Sequence, residues 1–250
     1  MIGALRLLLA SLVLLALFPA VEAAEIAGKA MTLPATERQV KVVYFRAPGD
    51  ANRPAALLLH GAGGFDRRIA EYNRYASALA SQGIDAYLVY YYSDADERGM
   101  SQSGDIFTER YPAWAKLVDD LADHLLTQKD SNGKVGLVGF SNGGILATGA
   151  STLDPKINAA VIYYGTQPWP LRMEPKHFPP LLVLHGDADR VIPVTEGERL
   201  AVLANSLGAK VDFVVYEGEG HGFGPDIDGS SGGDAVERTI VFLKKELARN

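Results

Sequence analysis

The chain has 250 residues, 48% hydrophobic and 22% charged, which suits a single large globular domain with a substantial buried core. It contains no cysteine, so disulfides, thiolate metal sites and a catalytic thiol are excluded. The formal net charge of -6 argues against a nucleic-acid binder, which presents a basic face or stripe.

Residues 1–23 read apart from the rest. Arg6 supplies a positive charge, Leu7 to Phe18 is apolar except for Ser11, and Pro19 ends the run. Val21-Glu22-Ala23 then offers small residues at signal-peptidase spacing. The run is too short to cross a bilayer, which takes roughly 20 apolar residues. The expectation is a signal peptide over 1–23, cleaved after Ala23 or Ala24, and one domain over 24–250. The protein would be exported, periplasmic or secreted, with no stable membrane insertion after cleavage.

Val40 to Phe45 alternates and reads as a half-buried strand. Ala55 to Leu59 is a continuous apolar run that suits a strand covered on both faces, and His60-Gly61-Ala62-Gly63-Gly64 follows it directly. The glycine-rich segment has neither the Gly-Lys-Ser/Thr ending nor the Gly-x-Gly-x-x-Gly pattern of a phosphate loop. Its backbone amides are candidates for an oxyanion hole, with Ala62 the preferred donor. A helix over Ile69 to Ala80 leads to a strand over Ile84 to Tyr90, and the polar stretch Ser93 to Tyr111 reads as a long loop. Trp114, Leu117, Val118, Leu121 and Leu125 then fall on one helical stripe.

The sharpest signal comes next. Val135 to Val138 reads as a strand that runs into Gly139-Phe-Ser141-Asn-Gly143 and emerges as a helix over Asn142 to Ala150. Strand, Gly-x-Ser-x-Gly and helix in this order form a nucleophile elbow, in which the serine sits on a sharp turn. The amide of Asn142 is the second oxyanion-hole candidate. The same five-residue pattern recurs at Gly229 to Gly233, but no apolar strand precedes it and it reads as a loop. Ser141 is therefore the candidate nucleophile and Ser231 is not.

Further strands are expected at Ala159 to Tyr163, Leu181 to Leu184 and Val211 to Val215. Thr166 to Pro180 is a proline-rich loop containing Trp169, too short for a lid domain. Thr195 with Glu198 resembles a capping box opening a helix. Val236, Ile240, Leu243 and Leu247 mark a last helix. Strands alternating with helices imply a mostly parallel sheet in an α/β architecture, with ligands at the carboxyl ends of the strands.

A serine hydroxyl needs a base to take its proton, and five histidines are available. His60 and His185 end apolar runs, His124 lies on a helix flank and His177 in the proline-rich loop. His221 stands in Glu217-Gly-Glu-Gly-His221-Gly-Phe-Gly, a flexible loop between the last strand and the last helix, and is the candidate base. His185-Gly-Asp187-Ala-Asp189 supplies two candidates for the acid that orients it.

Together these motifs resemble the α/β-hydrolase superfamily and, within it, the dienelactone hydrolase family, over roughly Val40 to Asn250. The resemblance implies the α/β-hydrolase fold, with about eight mostly parallel strands, helices on both faces and no large lid domain. It selects Asp189, four residues after His185, as the acid, and His221-Gly-Phe as the base segment. Two departures stand out: Ser141 takes the place of the family's cysteine nucleophile, and Gly61 that of a glutamate. The expected activity is a serine hydrolase cleaving a carboxylic ester, or related acyl bond, of a small molecule without metal or organic cofactor. Gly63, Tyr91, Trp169 and Phe223, with Tyr90 and Tyr92, are candidates for the pocket wall. A short-peptide peptidase and a non-catalytic binding protein of the same fold are the competing readings.

Overall fold

The computed structural model describes residues 25–102, 106–153, 155–168 and 175–248, so the expected signal segment and Trp169 lie outside the described residues. Eight strands form one sheet: β1 (Lys29–Pro34), β2 (Gln39–Phe45), β3 (Arg53–Leu59), β4 (Asp85–Val89), β5 (Ser131–Phe140), β6 (Ile157–Tyr163), β7 (Leu181–Gly186) and β8 (Val211–Tyr216). Their order across the sheet is β1-β2-β4-β3-β5-β6-β7-β8. β2 runs antiparallel to both β1 and β4, and every other pairing is parallel. Six helices are described: α1 (Ile69–Ser81), α2 (Asp94–Gln102), α3 (Ile106–Leu126), α4 (Asn142–Leu153), α5 (Val194–Ser206) and α6 (Ser230–Glu246).

Alternation along the central strands divides the core in two. Leu57 and Leu59 face a layer built with Trp114, Val118 and Leu121 of α3, Leu146 of α4 and Leu200 of α5. Ala56 and Leu58 face the opposite layer, built with Tyr75 and Leu79 of α1 and with Val236 and Leu243 of α6. Both faces of the central strands are therefore dry, which is why their sequences are nearly unbroken apolar runs. The six parallel strands end on the same edge, and the chain crosses that edge at His60, Tyr90, Ser141, Tyr164, Asp187 and Glu217. No helix among the described residues is long and apolar enough to cross a membrane.

The structure corrects four expectations. Ser93 to Tyr111 is not a loop: it contains α2 and the opening of α3. Ser93 and Asp96 cap α2 reciprocally, the Ser93 amide donating to the Asp96 carboxylate (2.9 Å) and the Asp96 amide to the Ser93 hydroxyl (3.2 Å). Thr195 and Glu198 form no such box, because α5 begins at Val194 after Pro193 and carries no side-chain cap. Gly229 to Gly233 is the opening of α6, and a Cβ on Gly232 would lie 1.8 Å from the Asp226 carbonyl oxygen. β1 was not expected, since it is an exposed edge strand on which only Leu33 is buried.

The buried Asp96 carboxylate also accepts hydrogen bonds from Trp114 Nε1 (3.1 Å) and Arg110 Nε (2.7 Å), tying α2 to α3. Burial pushes its carboxyl up, but these donors outweigh it and hold the group below the usual aspartate range. Asp96→Ala removes a cap and leaves the Trp114 N–H unpaired. It is expected to cost about 3 kcal/mol, read from the urea midpoint at pH 7.

Candidate active site

The turn from β5 into α4 explains why its glycines flank a serine. Ser141 has φ of +55°, a left-handed conformation that L-residues seldom adopt. Its amide donates to the Tyr163 carbonyl (3.0 Å) and its carbonyl accepts from the Ile145 amide (2.9 Å), so the strained residue is pinned on both sides. A Cβ on Gly139 would lie 2.2 Å from the Gly143 carbonyl oxygen, and one on Gly143 would lie 2.1 Å from that of Leu59. No side chain fits at either position. The elbow is thereby pressed against the end of β3, with its hydroxyl turned out over the carboxyl edge.

Ser141, His221 and Asp189 come together from three separate strand ends. His221 Nε2 lies 2.8 Å from Ser141 Oγ, and its Nδ1 lies 2.7 Å from Asp189 Oδ2. The other Asp189 oxygen accepts the amides of Val191 (2.8 Å) and Ile192 (3.0 Å). The Asp189 side chain has no solvent exposure. Burial pushes its carboxyl up, but the His221 hydrogen bond and the two amides prevail and hold it below the usual range. The alternative acid, Asp187, instead accepts the Gly218 amide (2.7 Å) and shapes the turn. A hydroxyl, an imidazole and an ionised carboxylate in series can move the hydroxyl proton onto the imidazole.

Two buried histidines support this arrangement. His185 Nε2 donates to the Ile192 carbonyl (2.8 Å), bracing the turn that presents Asp189. His60 is stacked on Tyr91 (4.1 Å between centroids) and its Nδ1 donates to the Gly61 carbonyl (2.8 Å), which steadies the glycine-rich turn. Burial lowers the pKa of both, that of His60 to about 4. The turn itself closes with the Gly64 amide on the Gly61 carbonyl (3.1 Å). It stands against the elbow, since a Cβ on Gly61 would lie 3.3 Å from Ser141 Cβ. Asn142 opens α4, so its amide lies outside the intrahelical ladder.

The wall residues divide. Ala62 and Gly63 line a groove of about 300 Å³ together with Gly64, Arg67, Tyr92 and Glu97. Tyr91 does not line it. Its ring is wholly buried and its hydroxyl donates to the His60 carbonyl (2.7 Å), so it belongs to the core. Phe223, only partly buried, sits 4.8 Å from Tyr216 and 5.5 Å from Tyr164 in an aromatic cluster that the His221 loop joins. Glu97 escaped the sequence reading because it belongs to α2, although Ser93-x-x-Asp96 marked the start of that helix.

A mostly parallel eight-stranded sheet, with helices on both faces and a strand–serine–helix elbow at its carboxyl edge, defines an α/β-hydrolase. The chain belongs to the dienelactone hydrolase family, whose model matches residues 42–247. It is 30% identical over 109 residues to a Methylorubrum extorquens protein provisionally named a carboxymethylenebutenolidase, covering 40% of this chain and 38% of that one. An Escherichia coli K12 protein of the same provisional name is 25% identical, over 49% of this chain and 52% of its own. The chain thus spans about half or less of these curated relatives. Among solved structures it resembles a dienelactone hydrolase from Anabaena variabilis (18% identity, TM-score 0.71, 90% of this chain and 100% of that one). It also resembles an esterase from Pyrobaculum calidifontis (19%, 0.70, 89% and 87%).

The buried His60 makes stability depend on pH. Its folded pKa is depressed below the unfolded value of about 6.5, so the unfolded chain binds the extra proton first. Stability is full above that value and declines as pH falls toward the folded pKa. The His60 contribution between pH 7 and pH 5 is expected to be about 2 kcal/mol, and His60→Gln is expected to flatten the slope of urea midpoint against pH.

Proposed function

We propose that this protein is a serine hydrolase that cleaves a carboxylic ester, or a related acyl bond, of a small molecule through an acyl-enzyme. The hydrogen-bonded chain from Asp189 through His221 to Ser141, at 2.7 and 2.8 Å, carries the reading. His221 Nε2 takes the Ser141 proton as Oγ forms a bond to the substrate carbonyl carbon. Asp189, held ionised by its amide donors, fixes the tautomer and stabilises the imidazolium. The amides of Ala62 and Asn142 receive the oxyanion, a kind of donor whose loss typically costs about a hundred- to a thousandfold in rate. Collapse expels the alcohol, which leaves with the proton from His221. Water, deprotonated by the same imidazole, then attacks the acyl-enzyme and releases the acid, restoring the Ser141 hydroxyl.

The groove of about 300 Å³ lined by Ala62, Gly63 and Gly64 is the space this reading assigns to a small acyl or alcohol group. Residues 1–23 support export of the protein, with 24–250 as the mature domain. Family membership is compatible with both ester and amide cleavage.

A fluorophosphonate is expected to add once to the wild-type protein, by intact mass, and not at all to Ser141→Ala. Turnover of p-nitrophenyl acetate is expected to fall about 10⁴-fold or more in Ser141→Ala and His221→Ala, and less in Asp189→Ala. A folded wild-type protein that takes no label would favour the non-catalytic binding reading. Faster cleavage of an aminoacyl anilide than of the ester would favour the peptidase.

A further inference from the structure

The loop that carries His221 has little stiffness of its own. Glycine occupies positions 218, 220, 222 and 224, and Gly218 and Gly222 have φ of +75° and +98°. Such a chain has access to many conformations. Its imidazole must nevertheless stay within about 0.5 Å of one place to serve Ser141. Something outside the loop has to hold it.

Two residues from outside the loop hold it. Tyr164, the first residue after β6, has φ of +37°, a region in which a bulky side chain is a genuine outlier. Its amide donates to the Leu184 carbonyl (2.8 Å), which fixes the unusual backbone between β6 and β7. The ring is buried and meets the His221 ring edge-on, with centroids 4.7 Å apart, and the hydroxyl lies against the Gly224 backbone. Arg68, just before α1 and paired with Glu71, donates from Nη1 to the Gly222 carbonyl. Gly224 in turn lies flat on the Tyr163 ring, where a Cβ would come within 2.3 Å of a ring carbon. The loop is thus held one and three residues after His221, and the imidazole itself is braced by an aromatic edge.

We infer that Tyr164 and Arg68 are positioning residues for His221, fixing its loop and ring plane so that Nε2 faces Ser141 Oγ. The inference rests on the reading of Ser141 as nucleophile. Backbone strain at a residue that touches the base is the mark of a conformation held for function. Arg68 acts by a different contact, on the peptide carbonyl next to the base.

The test uses p-nitrophenyl acetate and a fluorophosphonate on the full chain. Tyr164→Leu removes the aromatic edge, and Arg68→Gln shortens the donor; Tyr164→Phe and Arg68→Lys are the conservative partners. In Tyr164→Leu and Arg68→Gln, kcat is expected to fall about 10- to 100-fold with KM within about twofold, and the labelling rate constant to fall in step. Tyr164→Phe and Arg68→Lys are expected to recover most of the loss. Arg68 is partly exposed, so its variants test the inference even where Tyr164→Leu does not fold. Folded variants with wild-type kcat and labelling rate, or a loss confined to KM, would overturn it. A wild type that takes no label would instead remove the nucleophile reading, while a labelled wild type with unaffected variants removes the positioning role alone.

Discussion

At the elbow, the backbone of the turn from β5 into α4 packs directly on the backbone at the end of β3. With a Cβ at Gly143 the chain would run into the Leu59 carbonyl oxygen at 2.1 Å, and with one at Gly139 it would run into its own next turn. The left-handed Ser141 is the result, because the strand must become a helix within one residue while backbone packs on backbone. Its position is then set by main-chain atoms of β3, β5 and β6, the three central strands, which are buried on both faces. The remaining site elements are referenced to that fixed hydroxyl. The Gly61 turn is the continuation of β3, and Tyr164 that of β6.

Electrostatics complete what packing starts. Asp189 has no access to solvent and would favour its neutral form if burial acted alone. Two backbone amides and His221 supply three donors to its two oxygens, and the carboxylate is kept. Those amides are oriented because His185, buried and held in its neutral form, braces the Ile192 carbonyl of the same turn. The polar chain is therefore built on a donor scaffold that exists before any substrate arrives, the condition under which a site can stabilise charge without reorganising. Tyr163, Tyr164, Tyr216 and Phe223 pack on one another as an aromatic cluster, and Tyr164 within it meets the imidazole edge-on.

Much of this was legible in the residues, for a reason that differs from element to element. Parallel strands leave nearly continuous apolar runs, and six of the eight strands could be placed from those runs, with β2 placed instead by the alternation of Val40 to Phe45. β1 could not, because an edge strand exposed on four of its first five residues has no such signature. Gly-x-Ser-x-Gly was decisive only with its flanking strand; at Ser231 the same pattern opens a helix, where Gly232 is needed for packing against Asp226. α2 was missed because polar composition outweighed the Ser93 and Asp96 cap, while the box expected at Thr195 was absent because α5 already begins at Val194 after Pro193. The tyrosines show the limit most clearly. Tyr90, Tyr91 and Tyr92 are adjacent, and only the structure shows that Tyr92 reaches the groove while Tyr91 does not. Nothing in the sequence marks Tyr164 as a residue with positive φ, since that conformation is imposed by the strands on either side.

The central claim is that Ser141 carries the acyl group during turnover. Rapid mixing of the wild-type protein with excess p-nitrophenyl acetate, quenched in acid within the first turnover and digested, reads this directly by peptide mass. The account predicts a burst of nitrophenol matching the enzyme concentration and an acetyl group on the peptide that contains Ser141. A turnover that leaves no acyl group on that peptide while the ester is being consumed, or an acyl group found elsewhere, would contradict it.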